Sequence, residues 1–247
     1  MQQEQPKVTI ITPTVGNDSL FELIDTITKQ DVPVTHLLLW DDVRAPKFAT
    51  TNSNVNASPS FFEKEEFWKN YKYRANSIVV KGSMVQGQAR GSALRAVGLM
   101  CAQTEFVTFA DDDVMWEPNH IKTMLAAIQD KQWCACRRRI WTTTPDNQFE
   151  YLGIDNFESV GEQSKLPYKM IDNNCMMFRR RFGTSAAVLY RETKDYNDDR
   201  LMYAFLMQHA GSPAETNQAT INQVCPKKLV EFFRKGCTLS TTEQPQG

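Results

Sequence analysis

At 247 residues, 41% hydrophobic and 23% charged, the chain can bury the core of one large α/β domain or two small ones. A formal net charge of -1 gives no overall pull toward nucleic acid, so only a local basic patch would serve that purpose. No apolar run approaches the roughly 20 residues of a spanning helix, and six scattered cysteines without a CxxC pair offer neither a disulfide framework nor a zinc site.

The polar start, Met1 to Lys7, carries no apolar signal core. With its thiols read as free, the chain is expected in the cytoplasm, with attachment at the periphery of a membrane as the alternative. Lys7 to Thr12 is a β-branched run ended by Pro13, the pattern of a buried parallel strand. Ser19 to Gln30 predicts a helix, with Leu20, Leu23, Ile24 and Ile27 at helical spacing and Asp18 as N-cap. His36 to Trp40 is a second apolar strand and runs directly into Asp41 and Asp42. Strand, helix, strand in this order predicts a parallel sheet with right-handed crossovers.

Ala49 to Ser60 is polar and turn-rich, a loop by composition, and Phe61 to Tyr73 is aromatic and amphipathic; part of this insertion is expected to fold over a bound ligand. Ser77 to Val80 predicts a third strand, Gln88 to Ala102 a helix, and Glu105 to Ala110 a fourth strand that ends at Asp111, Asp112 and Asp113. Pro118 to Gln129 follows as a helix. The second half is less regular: strands are expected over Trp133 to Trp141 and Cys175 to Arg179, and a helix over Asp198 to His209. Cys134 and Cys136 fall on one face of the first of these strands and read as buried thiols. Thr238 to Gly247 reads as a disordered tail. The simplest division is one domain over 1–247, in two halves at 7–120 and 121–237.

Three consecutive carboxylates at the end of a buried strand repel one another and raise each other's pKa unless a cation neutralises them. Mg2+ and Mn2+ favour carboxylate oxygens together with substrate phosphates. In an open α/β sheet the ligand crevice lies beyond the carboxyl ends of the strands, where both acidic clusters fall. One such cluster reads equally well as a solvated turn; two, on separate strands, favour a metal-phosphate site.

Three segments, VTIITPTVG, LLLWDDV and ALRAVGLMCAQTEFVTFADDDVMWEP, resemble family 2 glycosyltransferases of the glycosyltransferase A fold. The resemblance covers about half the chain, from Lys7 to His120. It implies an α/β fold with a Rossmann-like, mostly parallel central sheet flanked by helices. Thr12, Pro13 and Thr14 would line the nucleotide pocket, and Asp42, or else Asp41, would hydrogen-bond the base. Arg95 would lie against the nucleotide or its pyrophosphate. Asp111 would touch the ribose or a metal-bound water and Asp113 would ligate Mn2+ or Mg2+, with Asp112 taking either role if the register shifts by one. Ala96 stands where asparagine is common and Val114 where a further aspartate often follows. These departures leave donor preference open.

The family's reaction is an inverting displacement in which a carboxylate removes a proton from the acceptor hydroxyl. The segment KDYNDDRLMYAFL resembles the family's acidic pair at the start of a late helix, which implies Asp199 as the base, with Asp198 as the alternative. Either carboxylate would also serve as a helix cap. The implied donor is a nucleoside-diphosphate sugar, UDP first and GDP or dTDP as alternatives, and the acceptor a glycan, a lipid-linked molecule or a protein. Nucleotidyl transfer and non-catalytic sugar-nucleotide or glycan binding are the rival readings. PTVGND after the first strand has one glycine and no basic residue, which counts against the former.

Arg137 to Arg139 and Arg179 to Arg181 are basic triplets that read first as solvated faces. Asn173 and Asn174 are candidates for acceptor hydroxyls, and Trp116, Trp141 and Tyr151 for sugar stacking, with turn formation and core packing as their plainer uses. His120 reads as structural, and Lys227 to Gly236 as a basic amphipathic helix that docks on the domain.

Overall fold

The computed structural model describes residues 5–16, 19–40, 77–81, 91–146, 148–155, 171–190, 198–225 and 230–231. Asp41 and Asp42, the Ala49 to Tyr73 insertion, most of Lys227 to Gly236 and the tail from Thr238 lie outside these residues.

Strand β1 (Val8–Thr14) is buried at all seven positions, as expected of a β-branched run covered on both faces. Helix α1 (Ser19–Thr28) follows and buries Leu20, Leu23, Ile24 and Ile27, the stripe its spacing dictates. Strand β2 (Val34–Trp40) pairs in parallel with β1, and β3 (Ser77–Lys81) in parallel with β2. Helix α2 (Ser92–Cys101) then crosses back, so that β4 (Phe106–Phe109) pairs in parallel with the other side of β1.

Beyond β4 come β5 (Val114–Trp116), α3 (His120–Ile128), β6 (Trp133–Thr143) and β7 (Phe149–Asp155). A 3-10 turn (Asn173–Cys175) leads into β8 (Met176–Arg179), a short helix α4 (Gly183–Ala186) follows, and α5 (Asp198–Ala210) precedes β9 (Ala214–Val224). Among the described residues the strands form one sheet in the order β3-β2-β1-β4-β8-β6-β9-β5, with β7 on β6. The first four are parallel; β8 runs antiparallel to both β4 and β6, whereas β6 and β9 are again parallel. The predicted parallel half is therefore extended by a mixed half. The sequence reading lacks β5, β7 and β9.

Close approach of α2 to the sheet depends on Gly98. A Cβ there would lie 2.5 Å from Ile11 Cγ2 and 2.9 Å from Leu39 Cδ1, inside any real contact. Alanine would gain about 1 kcal/mol of helix propensity, but overpacking a filled core costs about 1–3 kcal/mol. Gly98→Ala is therefore expected to lower stability in urea unfolding. A neutral or stabilising effect would contradict this packing.

Candidate active site

Chain order creates the crevice. From β1 the chain winds outward through β2 and β3, then returns across β1 to β4, so β1 and β4 send their following loops in opposite directions. Pairing between them ends near Ile11 and Phe109, with Ala110 N–H donating to Ile11 C=O at 3.0 Å. Past that point β1 carries Thr12, Pro13 and Thr14, and β4 opens into the turn of Asp111 to Asp113.

Each side chain at this mouth has a definite setting. Thr12 is fully buried and its hydroxyl is taken up by His36 Nε2 at 2.9 Å, inside the sheet. Burial drives that imidazole down to about 3, so it is neutral. Pro13 packs against Gly91, whose φ of 83° and missing Cβ admit the proline ring; a Cβ would lie 2.7 Å from Pro13 Cβ. Gly91 immediately precedes α2, so this contact sets the start of the helix that carries Arg95. Thr14 donates from its hydroxyl to Asp112 Oδ2 at 2.5 Å and accepts the Gly16 N–H at 2.9 Å, tying the end of β1 to the acidic turn.

Asp111 is gripped from both sides. Its Oδ1 pairs with Arg95 Nη2. Asn174 accepts the Asp111 backbone N–H through Oδ1 at 2.6 Å and donates Nδ2 to Asp111 Oδ2 at 3.2 Å. A backbone N–H can only donate, so this pair of contacts fixes which way the Asn174 amide faces. Arg95 is almost fully buried. Burial alone would weaken its charge, but Asp111, with Asp199 beyond it, holds the guanidinium above its ordinary value and cationic.

Asp113 is exposed and opens on a cleft of about 200 Å3 lined by Ser19, Glu22, Met115 and Phe149. Desolvation first, then repulsion from Asp111, Asp112 and Asp172, raises its carboxyl to about 7. At the start of α5, Asp198 is buried and accepts a hydrogen bond from the Ser92 hydroxyl, joining the first turns of α5 and α2. Asp199 is half-buried. Burial first, then Asp172 and Asp111, raises its carboxyl to about 8, against the lowering effect of Arg95 and Arg138. Asp199 thus belongs to the same electrostatic group as Asp111 and Arg95.

The chain's carboxylates suit a hard divalent cation. A cation at Asp113 would relieve the repulsion that raises this carboxyl. Among the described residues no three metal-ligating side chains converge. Mg2+ is commonly held by only one or two carboxylates, with phosphate oxygens and water completing the octahedron. Asp113 has the more open carboxylate of the two, whereas Asp111 has one oxygen on Arg95 and the other on Asn174.

Four contributors at this centre are missing from the sequence reading or cast differently there. Asp172 accepts from Asn174 Nδ2 at 2.7 Å and from its N–H at 2.9 Å. Arg138, read as part of a solvated triplet, is buried and pairs with Asp155 and Asp172. Tyr190 is buried against Phe109 (ring centroids 5.5 Å apart) and donates to Asn173 Oδ1 at 2.9 Å. Ser92 anchors Asp198.

Other candidates lie elsewhere. Arg179 stacks on Phe106 and pairs with Glu105 at 2.5 Å, at the opposite end of β4 from the acidic turn. Trp116 is buried beside His120, whose Nδ1 shares a 2.7 Å hydrogen bond with Thr220. Cys134 and Cys136 are buried, as expected. No helix among the described residues is long and apolar enough to cross a membrane.

No protein-family model and no curated protein sequence matches the chain. Solved structures do. S. aureus TarS 1–349 superposes with a TM-score of 0.59 at 18% identity, over 93% of this chain and 64% of that one, and the same protein has been solved with UDP-GlcNAc. The mannosyltransferase PcManGT of Pyrobaculum calidifontis, solved with GDP-Man and Mn2+, gives a TM-score of 0.55 at 14% identity, over 91% of this chain and 59% of that one. The 4-diphosphocytidyl-2C-methyl-D-erythritol synthase of Anaerococcus prevotii gives 0.51 at 12% identity, over 93% and 95%. The chain thus spans less than two thirds of both the TarS fragment and PcManGT. At these identities the likeness speaks for architecture, and with the strand order above it establishes a mixed α/β fold of the glycosyltransferase A type.

Proposed function

We propose that the chain is a glycosyltransferase of family 2 type, moving a sugar from a nucleoside-diphosphate donor to an acceptor hydroxyl with inversion. The observation that carries this reading is the grouping of Arg95, Asp111, Asp113 and Asp199 at the mouth between β1 and β4. A buried fixed cation suits the negative charge that builds on a departing diphosphate. A carboxyl raised to about 8 is, once ionised, a stronger base toward an attacking hydroxyl than an ordinary carboxylate. That two fold neighbours were solved with nucleotide sugars, one of them with Mn2+, supports the same reading.

In this reading the donor diphosphate lies over Asp111 to Asp113, with Thr14 and Arg95 at its sides. Asp113, and secondarily Asp111, would hold Mn2+ or Mg2+, which when bound neutralises diphosphate charge. Asp112, fixed by Thr14, sets the shape of the turn. Asp199 accepts the acceptor's proton, while Asp198 fastens its helix to α2 through Ser92. Residues 7–120 form the donor half, and 121–237 the acceptor half. Asp42, or else Asp41, keeps its proposed place at the base of the nucleotide, and part of the Ala49 to Tyr73 insertion its proposed place over the donor.

The test is product analysis with a panel of UDP-, GDP- and dTDP-sugars and Mn2+. Release of free nucleoside diphosphate from one donor, dependent on metal, is the expected result. Release of pyrophosphate from a nucleoside triphosphate would instead indicate nucleotidyl transfer. Binding without turnover of any donor would indicate a binding module.

A further inference from the structure

Arg138 is a buried cation that the scheme above does not use. It lies in the middle of β6 with its guanidinium 3% exposed. Nε donates to Asp155 Oδ2 at 2.8 Å, and Nη1 donates to Asp172 and to Gln223 Oε1 at 2.6 Å. Burying such a group is a poor device for stability alone, because its desolvation offsets much of the attraction. Its partner Asp172 faces two ways. One oxygen is on Arg138; the other receives the Asn174 side-chain and backbone N–H groups at 2.7 and 2.9 Å. Asn174 in turn clasps both the backbone and the carboxylate of Asp111, whose remaining oxygen is on Arg95.

An unbroken line of hydrogen bonds therefore runs from Asp155 through Arg138, Asp172, Asn174 and Asp111 to Arg95. We propose that Arg138 is a positioning residue for donor turnover, acting through Asp172 and Asn174 to hold the Asp111 carboxylate where Arg95 and the donor diphosphate meet. This rests on the glycosyl-transfer reading above. The cation keeps Asp172 ionised, below the usual carboxylate range despite its burial, and so able to anchor the Asn174 amide. The shape of the group matters as well as its charge. A guanidinium reaches Asp155 with one edge and Asp172 and Gln223 with another, a span a lysine ammonium does not cover.

The test is a double-mutant cycle of Arg138→Lys and Asn174→Ala. Melting temperature, calorimetric affinity for UDP, GDP and dTDP with Mn2+, and kcat for release of nucleoside diphosphate are measured for each protein. Each single variant is expected to stay folded, to lose about tenfold or more in kcat, and to change nucleotide affinity by less than about threefold. The double variant is expected to be no slower than the slower single one, because both cut one line. If Arg138→Lys does not fold at the assay temperature, Asp172→Asn, which keeps shape and removes charge, replaces it in the cycle. Additive losses, or unchanged kcat in folded single variants, would overturn the positioning role while leaving sugar transfer intact. A wild-type protein that neither binds a nucleotide nor consumes a donor would overturn the functional reading, and this proposal with it.

Discussion

Replacing Asp199 with asparagine is expected to reduce transfer by about 10^2- to 10^4-fold, the usual contribution of a positioned general base. Nucleotide and metal binding should persist, since Asp199 enters the proposed mechanism only at the acceptor. The wild-type pH profile carries the same information. Asp199 is raised to about 8, by burial first and then by Asp172 and Asp111. Only the ionised form accepts a proton, so kcat/KM should climb as pH rises toward 8 and level off above it. Linkage gives the opposite sign for stability. The folded state holds this proton above the unfolded value, so ionising Asp199 weakens the fold as pH rises toward 8. Activity and stability should therefore diverge over that range. Undiminished transfer in Asp199→Asn would remove Asp199 as the base and direct attention to Asp198.

Arg95→Gln should be nearly as damaging, and on two measurements at once. The guanidinium is almost buried while its partner Asp111 is about one-third exposed, at 8% and 31%. Breaking a fully buried pair costs about 3–5 kcal/mol, and solvent reaching Asp111 reduces that to about 1–3 kcal/mol. Urea unfolding reads this loss. Turnover should fall by about 10^2-fold or more, because the fixed positive charge proposed to face the donor diphosphate is gone. Arg95 also lowers the Asp199 carboxyl, so its removal should shift the rising limb of the pH profile to higher pH. A variant with unchanged turnover and an unmoved limb would place Arg95 outside the site.

The parallel half of the sheet was legible because each of its strands is a short apolar run, and two of them end in acids. β9 was missed for a physical reason. It carries Glu215, Thr216, Asn217, Gln218, Asn222 and Gln223, and pairs through its backbone where side-chain hydropathy gives no signal. β5 has three residues, and among the described residues β7 pairs with β6 alone and leaves Phe149 exposed.

The site divides in the same way. Thr14, Arg95 and Asp111 to Asp113 could be read because they lie in two local segments around β1 and β4. Arg138, Asp172 and Tyr190 could not, since pairing of β6 with β8 brings them in from distant parts of the chain. For Arg138 one signal was present. It falls on the same alternating phase of β6 as Cys136, Ile140 and Thr142, all buried, so its place in a run of three arginines was a poorer guide than its parity.

The central claim is that the mouth between β1 and β4 binds a nucleoside diphosphate together with a divalent ion. Thermal unfolding with UDP, GDP and dTDP, each with and without Mn2+, measures this directly. Ligand at about a hundred times its dissociation constant adds roughly 2.7 kcal/mol, or roughly 5–10 °C for a chain of this length. The account predicts such a shift for one nucleotide, and only with metal. No shift with any nucleotide, or equal shifts with and without Mn2+, would contradict it.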